Sequence, residues 1–586
     1  MKKHYETHVE DTDKLISVAG PVLDYKSWYE QYRKLMEEQA QRKHGLYTPT
    51  SEGDDDDFPS IPGMVARYSA LGLTNEQIAE NPVWKDLMGN GYDLQMKNFA
   101  WGGMSGVGGY VDNWNSSADW DINSYWVNSH TDHKLQFITA GSVVQARSNN
   151  IYNAENVYKN ILNVNGLTEA VNKGAVGGLR ISAVDPITSK AIKSFSFKTD
   201  GIIQISFDDV LQDYFVAYLL YGNNTKDIDI TIEQLPLYPG ALVFDGVDDY
   251  GTCDNFPILT KEKGYTVVAL RQYLVDKSTA YLTANGDSIS NTSFMLEGNN
   301  YRDTWSFGKA TTIQASRILA TQTSKQYDGV KLNIGTNTEG SNLLQVGKWS
   351  KSYSNVAIWE LVFLDHDATE EELTKIKDYF VKTYPWLFPD QAWTVTGKTN
   401  EDEDRATIAN ITGNGNNLVL SNFGFIEGSG YNKEGECAGY LVTDGVDDKI
   451  VSSSFETGKD FTIVGDWKFI DNKKNGTGLV KGSSFYIYNA MIGLDLYINS
   501  GSVKNSLDGI KSINAACSDG RAYDRNWNEI LANTGNVVGS GGPLEVSSSG
   551  GRFGRIAFKN LAIYPRILSK DDCIKAYNYL QTLKAK

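Results

Sequence analysis

The chain has 586 residues, a formal net charge of −17, 12% aromatic residues, 55 Gly and only 13 Pro. That length exceeds a single hydrophobic core, and the composition suits strands joined by tight turns rather than disorder. The acidic balance excludes a phosphate-tracking nucleic-acid binder, and no run approaches the roughly 18 apolar residues of a membrane span, so neither nucleic acid nor membrane insertion is expected.

The opening, MKKHYETHVEDTDKL, has two lysines but no apolar stretch behind them, which predicts synthesis in the cytosol without a signal peptide. Residues 1–60 read as an attachment segment and linker. Between Asp24 and His44 a helix is predicted that carries Trp28, Tyr29, Tyr32, Leu35 and Met36 on one face. That stripe must be buried on its own module or on a partner or sister subunit, so these five residues are the docking candidates. SEGDDDDFPSIPG follows as a charged, proline-bearing linker, with Asp54–Asp57 read as solvated rather than as a calcium site.

Beyond it, three landmarks occur twice and in the same order. DLMGNGYDLQMKNF (86–99) matches NITGNGNNLVLSNF (410–423). ALVFDGVDDY (241–250) matches GYLVTDGVDDKI (439–450). VAIWELVFLDHDATEEELTKIKDYF (356–380) matches IAFKNLAIYPRILSKDDCIKAYNYL (556–580) without a gap. This is a duplication. From Asp245 to Val356 is 111 residues and from Asp444 to Ile556 is 112, whereas Asn90 to Asp245 is 155 and Asn414 to Asp444 only 30. An insertion of about 125 residues therefore splits the first copy, at a loop where added length costs a fold least.

The expected boundaries are 61–115 with 239–388 for the first copy, 116–238 for the insertion and 389–586 for the second, with Pro385 and Pro389 marking the last junction. In each copy GNG and DGVDD read as turns, YTVVALRQYL (265–274) and FTIVGDWKFI (461–470) as strands, and the third landmark as a strand followed by a capped helix. Thr369 and Ser569 are the expected N-caps, each with an acidic residue three positions on, Glu372 or Asp572. The insertion reads as β through LRISAV, KSFSFK, GIIQISF, YFVAYLLY and DIDITIEQL, while Trp114–Ala170 gives no clear pattern. The predicted fold is mainly β: two concanavalin-like sandwiches, the first interrupted by a smaller inserted β-sandwich, behind an N-terminal helical segment.

Chemistry leaves few marks. Cys253, Cys437, Cys517 and Cys573 are scattered, which indicates neither a zinc site nor a disulfide framework. SHTDH brings His130 and His133 close to Asp132, but with no third ligand in view they read as solvated histidines. No GxSxG, HExxH or Walker loop is present. Glycoside hydrolysis is the enzyme alternative. It needs two carboxylates about 5–10 Å apart across a cleft, and no acidic i, i+2, i+4 cluster lies on an apolar strand, so no catalytic residue is assigned. Asp248, Asp249, Asp447 and Asp448 are metal candidates, with calcium the ion they would take, although the shared DGVDD turn explains them without a ligand. Trp114, Trp120 and Trp126, with Tyr125 among them, are the carbohydrate-binding candidates, because exposed aromatic rings stack on sugars. No cofactor is otherwise expected.

The series ARYSALG, DLMGNGYDLQMKNF, LVFDGVDDY and LVFLDHDATEEELTKI resembles laminin-G-like, concanavalin A-like jelly-roll domains, over about 350 residues in two copies. AWTVTGKTNEDEDRATIANITGNGNNLVLSNF and NFAWGGMSGVGGY resemble virion proteins of phages of Bacteroides-type gut bacteria, including crAss-like phages. That resemblance implies a structural virion protein, a head or tail fibre, spike or decoration protein that displays lectin-like sandwiches for host glycan adhesion. It also implies attachment to other virion proteins through the N-terminal segment, a homo-oligomer, and assembly into particles made in the host cytoplasm. Its alternatives are a polysaccharide depolymerase and a virion decoration without a ligand.

Overall fold

The computed structural model describes residues 58–585, apart from 155–156, 208–209, 223–224, 261, 275–280, 288–291, 293, 298–310, 313–318, 325–340, 414, 434–436, 471–477, 483–484, 490–492, 499–500, 509–512, 532–539 and 550–551. The predicted N-terminal helix, with Trp28, Tyr29, Tyr32, Leu35 and Met36, and the Asp54–Asp57 run lie outside the described residues.

Antiparallel β-sheets in face-to-face pairs build the rest. In the first pair, strand Asn355–Leu364 is the hub. It bonds Thr266–Tyr273 and Leu242–Asp245 along the sheet, and Met64–Ser69 also pairs with it. The facing sheet runs through Tyr281–Asn285, Leu344–Val346, Tyr250–Cys253 and Leu94–Lys97. Leu94 and Met96 point inward while Gln95 and Lys97 face out, the alternation a half-buried strand requires. Tyr68, Trp84, Leu94, Phe244, Val267 and Phe363 share one core.

Strand Gly106–Val107 pairs with Leu242–Asp245, so the chain leaves and re-enters this sheet around residues 108–241. The strands from Trp120 to Gln234 pair with one another in two five-stranded sheets and enclose a separate core of Trp114, Trp120, Leu162, Ile181, Tyr218 and Ile232. A third core, with Trp393, Leu418, Ile463, Trp467 and Phe558, lies between two eight-stranded sheets built from residues 391 onward.

The duplication reaches the level of single hydrogen bonds. Thr266–Tyr273 slips register against its neighbour between Leu270 and Arg271, and Thr462–Phe469 does so between Asp466 and Trp467. A β-bulge at the same place in both copies re-aims the strand identically. Thr266 Oγ1 donates to His366 O at 2.8 Å, and Thr462 Oγ1 donates to Arg566 O at 2.9 Å. Both closing helices start as the sequence predicts: Thr369 caps Glu370–Thr383 in a full capping box, and Ser569 Oγ accepts from Asp572 N ahead of Lys570–Gln581.

One difference between the copies is a buried ion pair. Arg67 Nε donates to Glu360 Oε2 at 3.0 Å, Arg67 Nη2 donates to Tyr379 OH at 2.8 Å, and Tyr384 OH donates to Glu360 Oε1 at 2.8 Å. Strand register places Ala392 and Asn560 at the matching positions of the second copy, so charge appears or disappears there as a pair.

The last helix also knits the three cores together. Tyr577 OH donates to Gln204 Oε1 at 3.1 Å, and Asn578 Nδ2 donates to Pro236 O at 3.4 Å. Lys575 sits over the Trp386 ring at 4.4 Å, and Gln272 Nε2 donates to Thr582 Oγ1 at 3.3 Å. Among the described residues no helix is long and apolar enough to cross a membrane.

Candidate functional site

The DGVDD turns come first, because their carboxylates are the strongest metal candidates in the sequence. Asp245, Asp248 and Asp249 each place one oxygen within 4.8 Å of the others, as do Asp444, Asp447 and Asp448. Two of the six carboxylate oxygens in each turn are committed to backbone. Asp245 Oδ1 accepts from Val247 N at 2.7 Å and from Asp248 N at 3.3 Å, and Asp249 Oδ2 accepts from Asp245 N at 2.9 Å. The second copy repeats this through Asp444 and Asp448 at 2.7, 3.3 and 2.8 Å. Asn98 and Asn422, both at φ 68°, clamp the far side by donating to Asp248 O and Asp447 O. Gly246 holds φ +75°, and a Cβ there would lie 2.6 Å from Asn355 Cβ, so the turn requires glycine. Asp248 and Asp447 are exposed; Asp249 and Asp448 are buried.

Burial pushes Asp249 up to about 7 and Asp448 up to about 6 from an ordinary value of 3.8, against the backbone N–H groups that favour the charged form. A carboxylate whose pKa rises on folding stabilises the folded state most below its unfolded value, and that contribution fades as pH climbs through about 6–7. Asp249→Asn and Asp448→Asn keep an acceptor for the turn and remove a buried charge. Thermal unfolding across a pH series is therefore expected to show both variants at least as stable as the parent at alkaline pH, with a shallower loss between about pH 4 and pH 7. Lower alkaline stability in the variants, together with a calcium-dependent melting point in the parent, would instead make these turns calcium sites.

The tryptophan cluster divides. Trp114 and Trp120 are 1% and 3% exposed and meet edge to face at 6.1 Å, with Tyr218 against both. They are core residues of the inserted sheets and offer no face to a sugar, which corrects their assignment as carbohydrate-binding candidates. Trp126 and Tyr125 differ. Asn123 Oδ1 accepts from Tyr125 N at 3.1 Å, and Asn123 O accepts from Trp126 N at 3.0 Å, which turns the chain out after strand Trp120–Ile122. Tyr125 is 70% exposed, and the Trp126 ring backs it at 4.8 Å and 82°. Trp126 lies across Gly141, where a Cβ would come within 2.5 Å of the indole. Val143 and Val144, just before Gln145, whose carbonyl accepts from Asn123 N, extend the exposed apolar surface.

A half-open groove of about 540 Å³ in the first sandwich went unnoticed in the sequence. Gly63, Asn90, Tyr92, Lys263 and Asp365 line it, and Asn90 Nδ2 is held by Val65 O at 2.9 Å. Its one readable trace is the GNG turn.

The two histidines of SHTDH part company. His130 Nδ1 faces Asn115 Oδ1 at 3.0 Å, whereas His133 Nδ1 lies 2.8 Å from Asp132 Oδ1. Burial opposes charge on His133, but Asp132, Glu76 and Glu233 together hold its pKa above the ordinary value. Glu76, which sequence distance concealed, joins Asp132 and His133.

These features define an antiparallel β-sandwich protein with a surface aromatic pair on its inserted sheets. No protein-family model matches the chain, and no curated protein matches it. Among solved structures, Trypanosoma rangeli sialidase in complex with sialic acid is similar at 11% identity and a TM-score of 0.23, over 38% of this chain and 40% of that one. Truncated AlyQ with CBM32 and alginate lyase domains aligns at 8% identity and a TM-score of 0.15, over 55% and 91% of the two chains. The binding domain of botulinum neurotoxin DC in complex with SialylT gives 8% and 0.14, over 86% and 94%. The chain thus spans well under half of the sialidase, and likeness at these scores assigns neither a site nor an activity.

Proposed function

We propose that this chain is a structural virion protein of a phage of Bacteroides-type bacteria, which displays β-sandwiches that adhere to host surface glycan through Tyr125 and Trp126. The observation that carries the binding half is Tyr125, a tyrosine 70% exposed on a turn fixed by Asn123 and backed edge-on by an indole. With the exposed Val143 and Val144 nearby it adds to a surface of apolar character, and the C–H face of a sugar ring suits an aromatic face of this kind. Asp121, Asn123 and Ser124, all exposed beside it, supply acceptors and donors for hydroxyl groups. The virion setting rests on the resemblance carried by residues 98–110 and 392–423. Repeated display on one particle lets weak sugar contacts act together.

Applying the intact protein to an array of bacterial capsular and cell-surface polysaccharides, with a parallel assay for reducing ends, tests this reading. Binding without release of reducing ends is expected. Release of ends would replace adhesion with depolymerisation, and absence of binding to any glycan would leave a decoration protein. Deleting residues 1–45 is expected to abolish incorporation into particles; normal incorporation would reject docking through Trp28, Tyr29, Tyr32, Leu35 and Met36.

A further inference from the structure

We propose that Glu76, Asp132 and His133 form a binding site for a divalent transition-metal ion of the zinc class, at the seam between the first sandwich and the inserted sheets. Glu76 comes from the short helix Asn75–Glu80 of the first sandwich. Asp132 and His133 sit in the turn between Val127–His130 and Lys134–Phe137 of the insertion. Each residue offers one donor atom within 4.8 Å of the others. His133 Nδ1 and Asp132 Oδ1 stand 2.8 Å apart. Ligands about 2.0–2.2 Å from a tetrahedral ion sit roughly 3.4 Å from each other, so this hydrogen-bonded pair has to open by only about half an ångström to coordinate.

The outer shell fits the same purpose. Asp132 is 3% exposed, and its second oxygen, Oδ2, accepts from Asn75 Nδ2 at 2.8 Å. Asn75 is in turn fixed by Val107 N, which donates to its Oδ1 at 2.6 Å. His133 Nε2 faces Glu233 Oε1 at 3.7 Å, and the Tyr110 ring stacks on the imidazole at 4.7 Å and 11°. Outer partners of this kind orient a ligating carboxylate and set which imidazole nitrogen is free to coordinate.

Charge supplies the independent argument. Glu76, Asp132 and Glu233 surround one imidazole, and among the described residues no lysine or arginine forms an ion pair with any of the three. Asp132 is buried while Glu76 is exposed and Glu233 half-exposed, and a cation placed among the three would offset their like charge. One nitrogen with carboxylate oxygens selects zinc-class ions over calcium or magnesium, which prefer all-oxygen shells. Coordination through a histidine nitrogen requires that nitrogen to be unprotonated, so the ion competes with protons for the site. The ion then ties the insertion to its host sandwich.

The test is calorimetric titration of the intact, chelator-treated protein with zinc, and with cobalt for its visible absorption. The parent is expected to take up one equivalent, more weakly as pH falls, and to melt at a higher temperature when loaded. Glu76→Gln, at an exposed position, and His133→Gln are each expected to weaken that equivalent by at least about tenfold. His130→Gln is expected to bind as the parent does. The site is overturned if no zinc binds, if Glu76→Gln binds zinc unchanged, or if His130→Gln is the variant that loses it. None of these outcomes depends on glycan binding.

Discussion

Arg67→Ala is expected to destabilise the protein by about 3–5 kcal/mol, the range for removing one partner of a buried ion pair. The guanidinium is 3% exposed and Glu360 fully buried. Burial pushes the Glu360 carboxyl up, and Arg67, Tyr384 and Ser69 pull it back down. Without Arg67 the carboxylate stays in the interior with only hydroxyl partners. The second copy shows how the fold manages without the pair, since Ala392 and Asn560 occupy those positions and Asn560 Oδ1 accepts from Asp466 N at 3.1 Å. Adding Glu360→Asn to Arg67→Ala is therefore expected to recover a large part of the loss, although Arg67→Ala still leaves a cavity. Denaturant unfolding of the two single variants and the double variant measures this. A double variant no more stable than Arg67→Ala alone would show that the second copy's arrangement around Asn560 does not transfer to the first.

Trp120→Ala is expected to cost about 3–5 kcal/mol, as deletion of a buried indole does, because Trp114 and Tyr218 pack against it. Tyr125→Ala, only five residues along the chain, should change stability by less than about 0.5 kcal/mol, since most of its ring is in water. Chemical unfolding of both variants separates a core aromatic from a surface one. Near-equal costs would mean that Tyr125 is packed and would remove the adhesive face.

The same region shows where sequence reading succeeds and fails. Turns were legible because their chemistry is local: an aspartate two or four residues from the N–H it accepts, and a glycine at positive φ, leave a fixed spelling that recurs in both copies. Capped helices were legible for the same reason. Much of Trp114–Ala170 was not, because Trp120–Ile122, Val127–His130 and Ala146–Ser148 are too short to display an alternating pattern, and in Lys159–Asn165 three asparagines dilute an alternation that the burial shows. Nor does residue type tell a tryptophan that fills a core from one that reaches the surface, and Trp114, Trp120 and Trp126 look alike until strand pairing assigns each a side. Glu76 was hidden by the 55 residues of chain between it and Asp132. Its partner is chosen by how the insertion returns to its host sheet, which no local pattern records.

Adhesion through the Tyr125 and Trp126 pair is tested most directly by tryptophan fluorescence, titrating the intact chain and Tyr125→Ala with the polysaccharide that binds best on the array. The account predicts a saturable change in the parent. For Tyr125→Ala it predicts about tenfold weaker binding, the ratio that ~1.4 kcal/mol of lost stacking gives, at an unchanged melting temperature. Equal affinity in the two proteins would contradict it.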